Sequence, residues 1–97
     1  MNRPFERIAV IDIGKTNAKV VLVDGRTGAE LAVRKTANTV LPGPPYPHFD
    51  IATLWHFILQ TLKDFAANPG FEALSITTHG ASAALLDQDG NLALPVL

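Results

Sequence analysis

A chain of 97 residues with 47% apolar and 18% charged residues is long enough for one small domain with a buried core. Eight basic and nine acidic residues give a net charge of −1, which excludes the large positive field that recruits nucleic acids or anionic membranes. The absence of cysteine excludes disulfide frameworks and cysteine-ligated metals. The N-terminus lacks the apolar run of a signal peptide, so we expect a soluble, cytoplasmic protein.

The first part of the chain predicts three β-strands. Residues 8–13 form an apolar run that is typical of a strand buried on both faces, and the β-branched residues 19–24 follow it. A third strand is predicted at Glu30–Ala37, where apolar and polar side chains alternate. The connections are short and contain turn-forming glycine and aspartate, which indicates an antiparallel meander.

A proline-rich loop and a helix are predicted next. Residues 41–49 carry four prolines and should be extended, because proline removes a hydrogen-bond donor and disfavours helix in the residue before it. Asp50 is the predicted N-cap of a helix whose apolar residues recur every three or four positions, and Asn68-Pro69-Gly70 ends it. Trp55 lies on that apolar face and is expected to pack in the core.

The last part of the chain predicts three further strands. They cover Ala73–Thr78, residues 82–86 and residues 91–97, and a hairpin turn at residues 87–90 joins the last two. Asp87 and Asp89 are interpreted as turn residues. The final strand runs to Leu97 without a polar exit, so we expect the chain to be a fragment of a longer protein.

The segment VIDIGKTNAKVVLVD, residues 10–24, contains a Gly-Lys-Thr that is typical of a P-loop. A P-loop needs another glycine five residues earlier, where this chain has Ala9, and a helix afterwards, where it has a β-branched segment. The alternative is a β-hairpin whose turn binds phosphate. Glycine there allows close backbone approach, the following side chains and amides donate, and the preceding carboxylate suits Mg²⁺; the residues are Asp12, Gly14, Lys15, Thr16, Asn17 and Lys19. A plain turn with surface lysines remains open.

The order and spacing of the motifs resemble those of the FGGY carbohydrate kinases, within the sugar kinase, hexokinase, actin and heat-shock chaperone superfamily. Residues 12–19 (DIGKTNAK) are similar to the first phosphate motif of that superfamily, and a family-like Phe49-Asp50 with Leu54-Trp55 follows. Residues 73–97 are similar to a second sequence block of this family, in which a glycine is followed by Leu-Leu-Asp and then by Leu-x-Pro. The resemblance implies an α/β, ribonuclease H-like (actin-like ATPase) fold. This chain would be the N-terminal portion of its first lobe, with the second lobe absent.

A second candidate site lies in the segment from Thr78 to Ser82, THGAS. A lone histidine after a strand is more often a capping or partly buried residue than a ligand-binding one. The stretch is, however, similar to the Met-His-Gly-Ala-Thr of xylulose kinases, which implies that His79 and Gly80 bind the sugar. Glycerol kinases carry an Arg-Glu pair where Gly80-Ala81 stand, so a ketose such as xylulose, rhamnulose or fuculose is favoured over glycerol. Tyr46 and His48, in the proline-rich loop, are further candidates for sugar contact.

The resemblance also implies the cofactors and the reaction. ATP and Mg²⁺ would be required, with Asp12 near the metal, the turn at residues 14–17 and Lys19 on the β- and γ-phosphates, and a sugar or polyol as the phosphoryl acceptor. Lys15 departs from many members of the family, which have Thr, Ser or Ala there. The catalytic base of the family is an aspartate beyond residue 97, so no catalytic residue is assigned and the 97 residues alone are expected to be inactive. The alternative is a non-catalytic sugar- or nucleotide-binding regulator, and a homo-oligomer is left open.

Overall fold

The computed structural model describes residues 5–80 and 82–96 of the chain. Predictions that fall on residues 1–4, on Ala81 of the THGAS segment and on Leu97 of the last predicted strand lie outside the described residues. The elements follow in the order β1 (Arg7–Ile13), β2 (Asn17–Asp24), β3 (Glu30–Ala37), β4 (Val40–Leu41), β5 (His48–Phe49), α1 (Ile51–Ala67) and β6 (Ala73–Thr78).

The main sheet has four strands in the order β3-β2-β1-β6. The hairpins β1–β2 and β2–β3 are antiparallel, which confirms the predicted meander. Strand β6 returns after α1 and lies parallel to β1, with Ile8 opposite Ala73 and Ile13 opposite Thr78. A parallel neighbour requires such a crossover, because a tight turn can only reverse the chain.

The core lies between one face of this sheet and α1. Side chains alternate along a strand, so every second residue of β1 and β2 faces the helix. The buried ones in the core cluster are Ile11, Ala18, Val20 and Leu22. From the helix, Leu54, Ile58 and Phe65 complete the cluster. Burying each large apolar side chain contributes about 1.5–3 kcal/mol, and this contact fixes the helix over the meander.

The ends of α1 follow the sequence prediction. The Asp50 side chain accepts a hydrogen bond from the Thr53 amide at 3.3 Å and caps the first turn. At the other end Gly70 adopts φ +90°, and its amide donates to the Phe65 carbonyl at 2.7 Å. A glycine takes this left-handed conformation without steric cost, so the helix stops where the Asn-Pro-Gly segment predicts. In the described part of the chain, no helix combines the length and apolar character needed to cross a bilayer.

The prediction that Trp55 packs in the core is wrong, since 58% of this residue is exposed. The buried stripe of α1 runs through Leu54, Ile58, Thr61 and Phe65. Successive helical residues are about 100° apart, which places Trp55 on the flank of that stripe. The apolar face of the helix is wider than the surface that the meander covers.

The two strands predicted at residues 82–86 and 91–97 do not form over residues 82–96. A single isolated bridge pairs Leu86 with Leu92. The predicted turn between them is present. The Asp87 carboxylate accepts hydrogen bonds from the backbone amides of Asp89 at 2.9 Å and Asn91 at 3.0 Å, which confirms Asp87 as a turn residue. Residues 82–94 are exposed, and two short strands without a third strand or a helix to pack against form a poor ladder.

The proline-rich segment has a short strand at each end, where the sequence predicts only an extended loop. Val40 pairs with Phe49 and Leu41 with His48, so β4 and β5 form a small antiparallel unit. The Phe49 amide donates to the Val96 carbonyl at 2.9 Å, which ties the end of the described chain to this unit.

Candidate functional site

The two motifs singled out in the sequence meet at one edge of the sheet. Strands β1 and β6 are parallel, so their carboxyl ends lie side by side, with Ile13 opposite Thr78. The His79 amide continues this ladder and donates to the Ile13 carbonyl at 2.9 Å. The turn that follows β1 and the histidine that follows β6 are therefore neighbours in space, although the helix separates them in sequence.

The turn between β1 and β2 has Gly14 at its base and Lys15 and Thr16 at its exposed tip. The Gly14 amide donates to the Asn17 carbonyl at 2.8 Å. A Cβ atom at position 14 would lie 2.9 Å from that carbonyl oxygen, so the turn itself requires glycine here. Within residues 5–80 and 82–96, the amides of Lys15 and Thr16 make no hydrogen bond. Free amides beside a hydroxyl and an ammonium group can bind an anion.

Asp12 and Lys19 face each other across the hairpin. They are register partners, and the Lys19 Nζ lies 3.8 Å from the Asp12 Oδ2. Their side chains are 41% and 39% exposed, so this ion pair is loose and open to solvent. Since Ile11 packs against α1, the alternation of β1 places Asp12 on the opposite face of the sheet.

The same row of the sheet contains two residues that the sequence analysis did not identify. Thr77 is the partner of Asp12 on β6, and Lys35 is the partner of Lys19 on β3. Register partners point to the same face, so the four side chains form one polar row across the strands. Lys35 belongs to this row through its pairing with Lys19, and strand pairing cannot be read from the sequence alone.

Asp12 has the donor chemistry to bind a magnesium ion whose other ligands are waters and phosphate oxygens. No group of three His, Cys, Asp or Glu side chains that could hold a metal occurs in the described ranges. Mg²⁺ in phosphoryl-transfer sites commonly takes one or two carboxylates and completes its octahedron with waters and phosphate oxygens. One half-exposed carboxylate beside a turn with free amides matches that donor set, and it does not match a metal bound by protein ligands alone.

The ring of His79 is held in a defined orientation. Its Nδ1 lies 2.9 Å from the Gly80 carbonyl oxygen, which can only accept, so this nitrogen carries the proton. The Ser82 hydroxyl lies 3.4 Å from the same nitrogen, and the Phe49 ring packs beside the imidazole at a centroid distance of 5.4 Å. In the neutral ring Nε2 is then an acceptor, which suits a hydroxyl-bearing ligand.

Gly80 leaves open space next to this histidine. It is exposed, and a Cβ atom added to it would meet no atom within 4 Å. The described fold therefore does not need a glycine at this position, in contrast to Gly14.

Tyr46 and His48 form a small aromatic unit near the same end of the molecule. The Tyr46 hydroxyl donates to the Pro95 carbonyl at 2.7 Å, and the His48 Nδ1 lies 2.7 Å from the Tyr46 carbonyl oxygen. The Tyr46 bond ties Pro95 to the proline-rich segment. Sugar contact by either residue stays a prediction.

Asn38, directly after β3, is a residue that the sequence reasoning missed. Its side-chain Nδ2 donates to the Gly14 carbonyl at 2.8 Å, and its amide donates to the Thr16 carbonyl at 2.9 Å. It is buried, with 6% of its surface exposed. An asparagine after a strand is ordinarily a turn residue, so only the three-dimensional structure reveals its contact with the turn.

The carboxyl groups with lowered pKa values lie away from this edge. The amides of Arg26 and Thr27 donate to Asp24 and lower its pKa from the usual 3.8. A hydrogen bond from Arg34 lowers the pKa of Asp64 in the same way. Both carboxylates stabilise local structure, in the β2–β3 turn and between β3 and α1, and neither belongs to the candidate site.

Three solved structures of carbohydrate kinases are similar to this chain. A carbohydrate kinase from Novosphingobium aromaticivorans shares 33% identity over 92% of the chain, with a TM-score of 0.77. A ligand-bound xylulose kinase and a gluconate kinase, both from Lactobacillus acidophilus, share 18% identity over 94% and 96% of the chain, with TM-scores of 0.75 and 0.77. The chain spans 19% of the length of each of these proteins. The sequence matches no family model and no curated protein.

These similarities confirm the expected fold class. The mixed sheet with its helix matches part of the N-terminal lobe of the sugar kinase fold. At 18% identity, the two Lactobacillus structures show the fold alone.

Proposed function

We propose that this chain is the N-terminal portion of the first lobe of an ATP-dependent sugar kinase of the FGGY type. The parent protein would transfer the γ-phosphoryl group of MgATP to a hydroxyl of a sugar or polyol, in the cytoplasm. The observation that carries the proposal is the meeting of the 14–17 turn with His79 at one sheet edge, through the hydrogen bond from the His79 amide to Ile13. The 33% identity with a carbohydrate kinase supports it.

The turn would hold the β- and γ-phosphates. Phosphoryl transfer proceeds through a loose transition state with charge on the phosphoryl oxygens, so the protein contributes mainly positioning and charge neutralisation. The free amides of Lys15 and Thr16, the Thr16 hydroxyl and the Lys19 ammonium group supply donors of different reach within one turn. Asn17 donates to the Thr16 hydroxyl oxygen at 3.2 Å, which leaves the hydroxyl proton available for a ligand.

Asp12 would hold Mg²⁺, through a water molecule, on the polar face of the sheet. The metal, when bound, neutralises charge on the phosphates. Asp12 also keeps the Lys19 ammonium group within 3.8 Å, so both charges stay at the base of the turn. An exposed pair of this kind is weak, and Lys19 can turn to a phosphate at little cost.

His79 would orient the sugar. Its Nδ1–H donates a hydrogen bond to the Gly80 carbonyl, so Nε2 is free to accept a hydrogen bond from a sugar hydroxyl. Gly80 leaves room for the ligand to approach. We infer a ketose such as xylulose, rhamnulose or fuculose, because the THGAS segment resembles the Met-His-Gly-Ala-Thr of xylulose kinases.

No catalytic base is assigned among the 97 residues. The proposal is tested with a coupled ADP-release assay on the full-length protein that contains this chain, with xylulose, rhamnulose, fuculose, gluconate and glycerol as acceptors. We expect ATP-dependent turnover of a ketose, slow or absent turnover of glycerol, and none from residues 1–97 alone. If the full-length protein turns over no acceptor but binds a sugar or MgADP, it is the non-catalytic regulator instead.

A further inference from the structure

We propose that Asn38 is a positioning residue, which orients the turn at residues 14–17 for phosphate binding. The inference rests on the proposed function and adds to it a residue that does not itself touch the nucleotide. Asn38 lies at the end of β3, two strands away from β1, so it connects the turn to the far side of the meander.

Asn38 makes two hydrogen bonds to the turn, and they reach the two carbonyls on either side of the tip. The Nδ2 group donates to the Gly14 oxygen at 2.8 Å. The backbone amide donates to the Thr16 oxygen at 2.9 Å and extends the β2–β3 ladder by one residue. The turn is thereby fixed at two points by one buried residue.

These two bonds determine where the amides of Lys15 and Asn17 point. In a planar trans peptide the carbonyl and the next amide point in opposite directions. When the Gly14 oxygen is directed inward to Asn38, the Lys15 amide is directed outward, away from the core. The same geometry applied to the Thr16 carbonyl orients the Asn17 amide. A donor aimed in advance at an anion needs no reorganisation when the charge develops.

Packing alone does not explain an asparagine at this position. The Asn38 Oδ1 atom is buried and has no hydrogen-bond partner in the described part of the chain. A buried acceptor without a partner destabilises a fold, and such groups are rare in native proteins. The bond from Nδ2 to Gly14 is the contribution that only the amide makes.

The first test uses the full-length protein with Asn38→Ala and Asn38→Asp, and Thr39→Ala as the matched control. The Asp variant keeps the size of the side chain but, when ionised, cannot donate to Gly14. We expect both variants to lower kcat/KM for MgATP by about ten- to a hundredfold, as misplacement of a positioning group does. The KM for the sugar should stay unchanged, since His79 is held by β6. Thr39, which is exposed and adjacent, should behave as wild type.

A second measurement needs no variant. Amide hydrogen exchange is followed in the wild-type full-length protein with and without MgADP. Because the Asn38 amide is bonded to the turn, binding of MgADP should slow exchange at Asn38 and Lys15, and exchange at Thr39 should not change. Unchanged exchange at Asn38 on binding overturns the inference, even where the variants fail to fold.

The outcomes separate this inference from the proposed function. If the wild type is an active kinase and the Asn38 variants match Thr39→Ala, Asn38 is not a positioning residue and the proposed function stands. If an Asn38→Asp enzyme retains full activity with MgATP, donation to Gly14 is not its role. If the wild type neither binds MgADP nor phosphorylates a sugar, the proposed function fails, and the inference fails with it.

Discussion

Gly14 and Gly80, the glycines of the two motifs, differ in whether the fold requires a glycine at their position. At position 14 a Cβ atom would press on the Asn17 carbonyl, so the residue is fixed by the turn. At position 80 the described structure offers open space, so no contact in it requires a glycine. The sequence predicted Gly14 as a site residue because glycine allows close backbone approach, and Gly80 because the THGAS segment resembles the Met-His-Gly-Ala-Thr of xylulose kinases. Both site roles stay predictions.

Lys15 is the residue at which this chain departs from many of the FGGY kinases that it resembles. It lies at the exposed tip of the turn, where we propose that its flexible side chain contacts a phosphate. Replacing it with alanine in the full-length protein should raise the KM for ATP by about five- to tenfold, because a hydrogen bond to a charged group contributes about 1.5–3 kcal/mol and solvent reduces it. Steady-state kinetics at varied ATP concentration measure the effect.

Lys63→Ala is the control, since this exposed lysine lies on α1, away from the turn. Unchanged ATP KM and kcat in Lys15→Ala would show that the lysine points to solvent and has no part in nucleotide binding.

At the scale of elements, the helix–sheet contact is carried by a narrow stripe of α1. Ile58 is 4% exposed and belongs to the core cluster, whereas Trp55, one turn earlier on the flank, is 58% exposed. Ile58→Ala should therefore lower the free energy of unfolding by about 2–5 kcal/mol. Trp55→Ala should lower it by less, because more than half of this residue is already exposed, although tryptophan is the larger side chain.

Urea unfolding of both variants, followed by circular dichroism, tests this pair. An equal or larger loss for Trp55→Ala would mean that the flank of α1 is covered in solution.

The turn between β2 and β3 makes the stability of the fold depend on pH. Amides of Arg26 and Thr27 lower the pKa of Asp24 in the folded state. Between the folded and unfolded pKa values the unfolded chain binds more protons, so stability rises with pH. The contribution of Asp24 is complete above its unfolded pKa, near 3.8, and is lost as the pH falls through the lower folded value.

Asp24→Asn keeps an oxygen that can accept both amide bonds but removes the titration. Thermal unfolding between about pH 2 and 6 should show a smaller loss of stability in acid for this variant than for wild type. Asp89→Asn serves as control, because its side chain accepts no hydrogen bond over the described ranges. Parallel pH profiles for wild type and Asp24→Asn would contradict the assignment.

At the scale of the whole molecule, the sequence predicted the secondary-structure elements better than the contacts between strands. The meander, the helix with its Asp50 cap and the strand Ala73–Thr78 follow from periodicity and turn chemistry, which are properties of neighbouring residues. The contact between Asn38 and Gly14 and the row that joins Asp12 to Lys35 depend on strand register, which one sequence does not specify.

The errors have a related cause. The apolar spacing of α1 predicts Trp55 in the core, and the hairpin turn at residues 87–90 between two apolar runs predicts strands at residues 82–86 and 91–97. Within the described part of the chain, neither α1 nor the sheet covers Trp55 or residues 82–94, which are exposed. Periodicity shows that a residue needs burial, but it does not show what will cover it.

The same exposure predicts the behaviour of residues 1–97 expressed alone. Strand β6 leaves Leu74 and Ile76 53% and 67% exposed, and a pocket of about 220 Å³ between the sheet and α1 has Trp55 and Ile76 in its lining. Contiguous apolar surface beside an open strand edge favours association. Sedimentation velocity should therefore show concentration-dependent self-association. The double variant Trp55→Gln with Ile76→Thr should reduce it, whereas Leu85→Thr, exposed outside the pocket, should have less effect. A wild-type polypeptide that stays monomeric with a cooperative thermal transition would show that this face is stable in water.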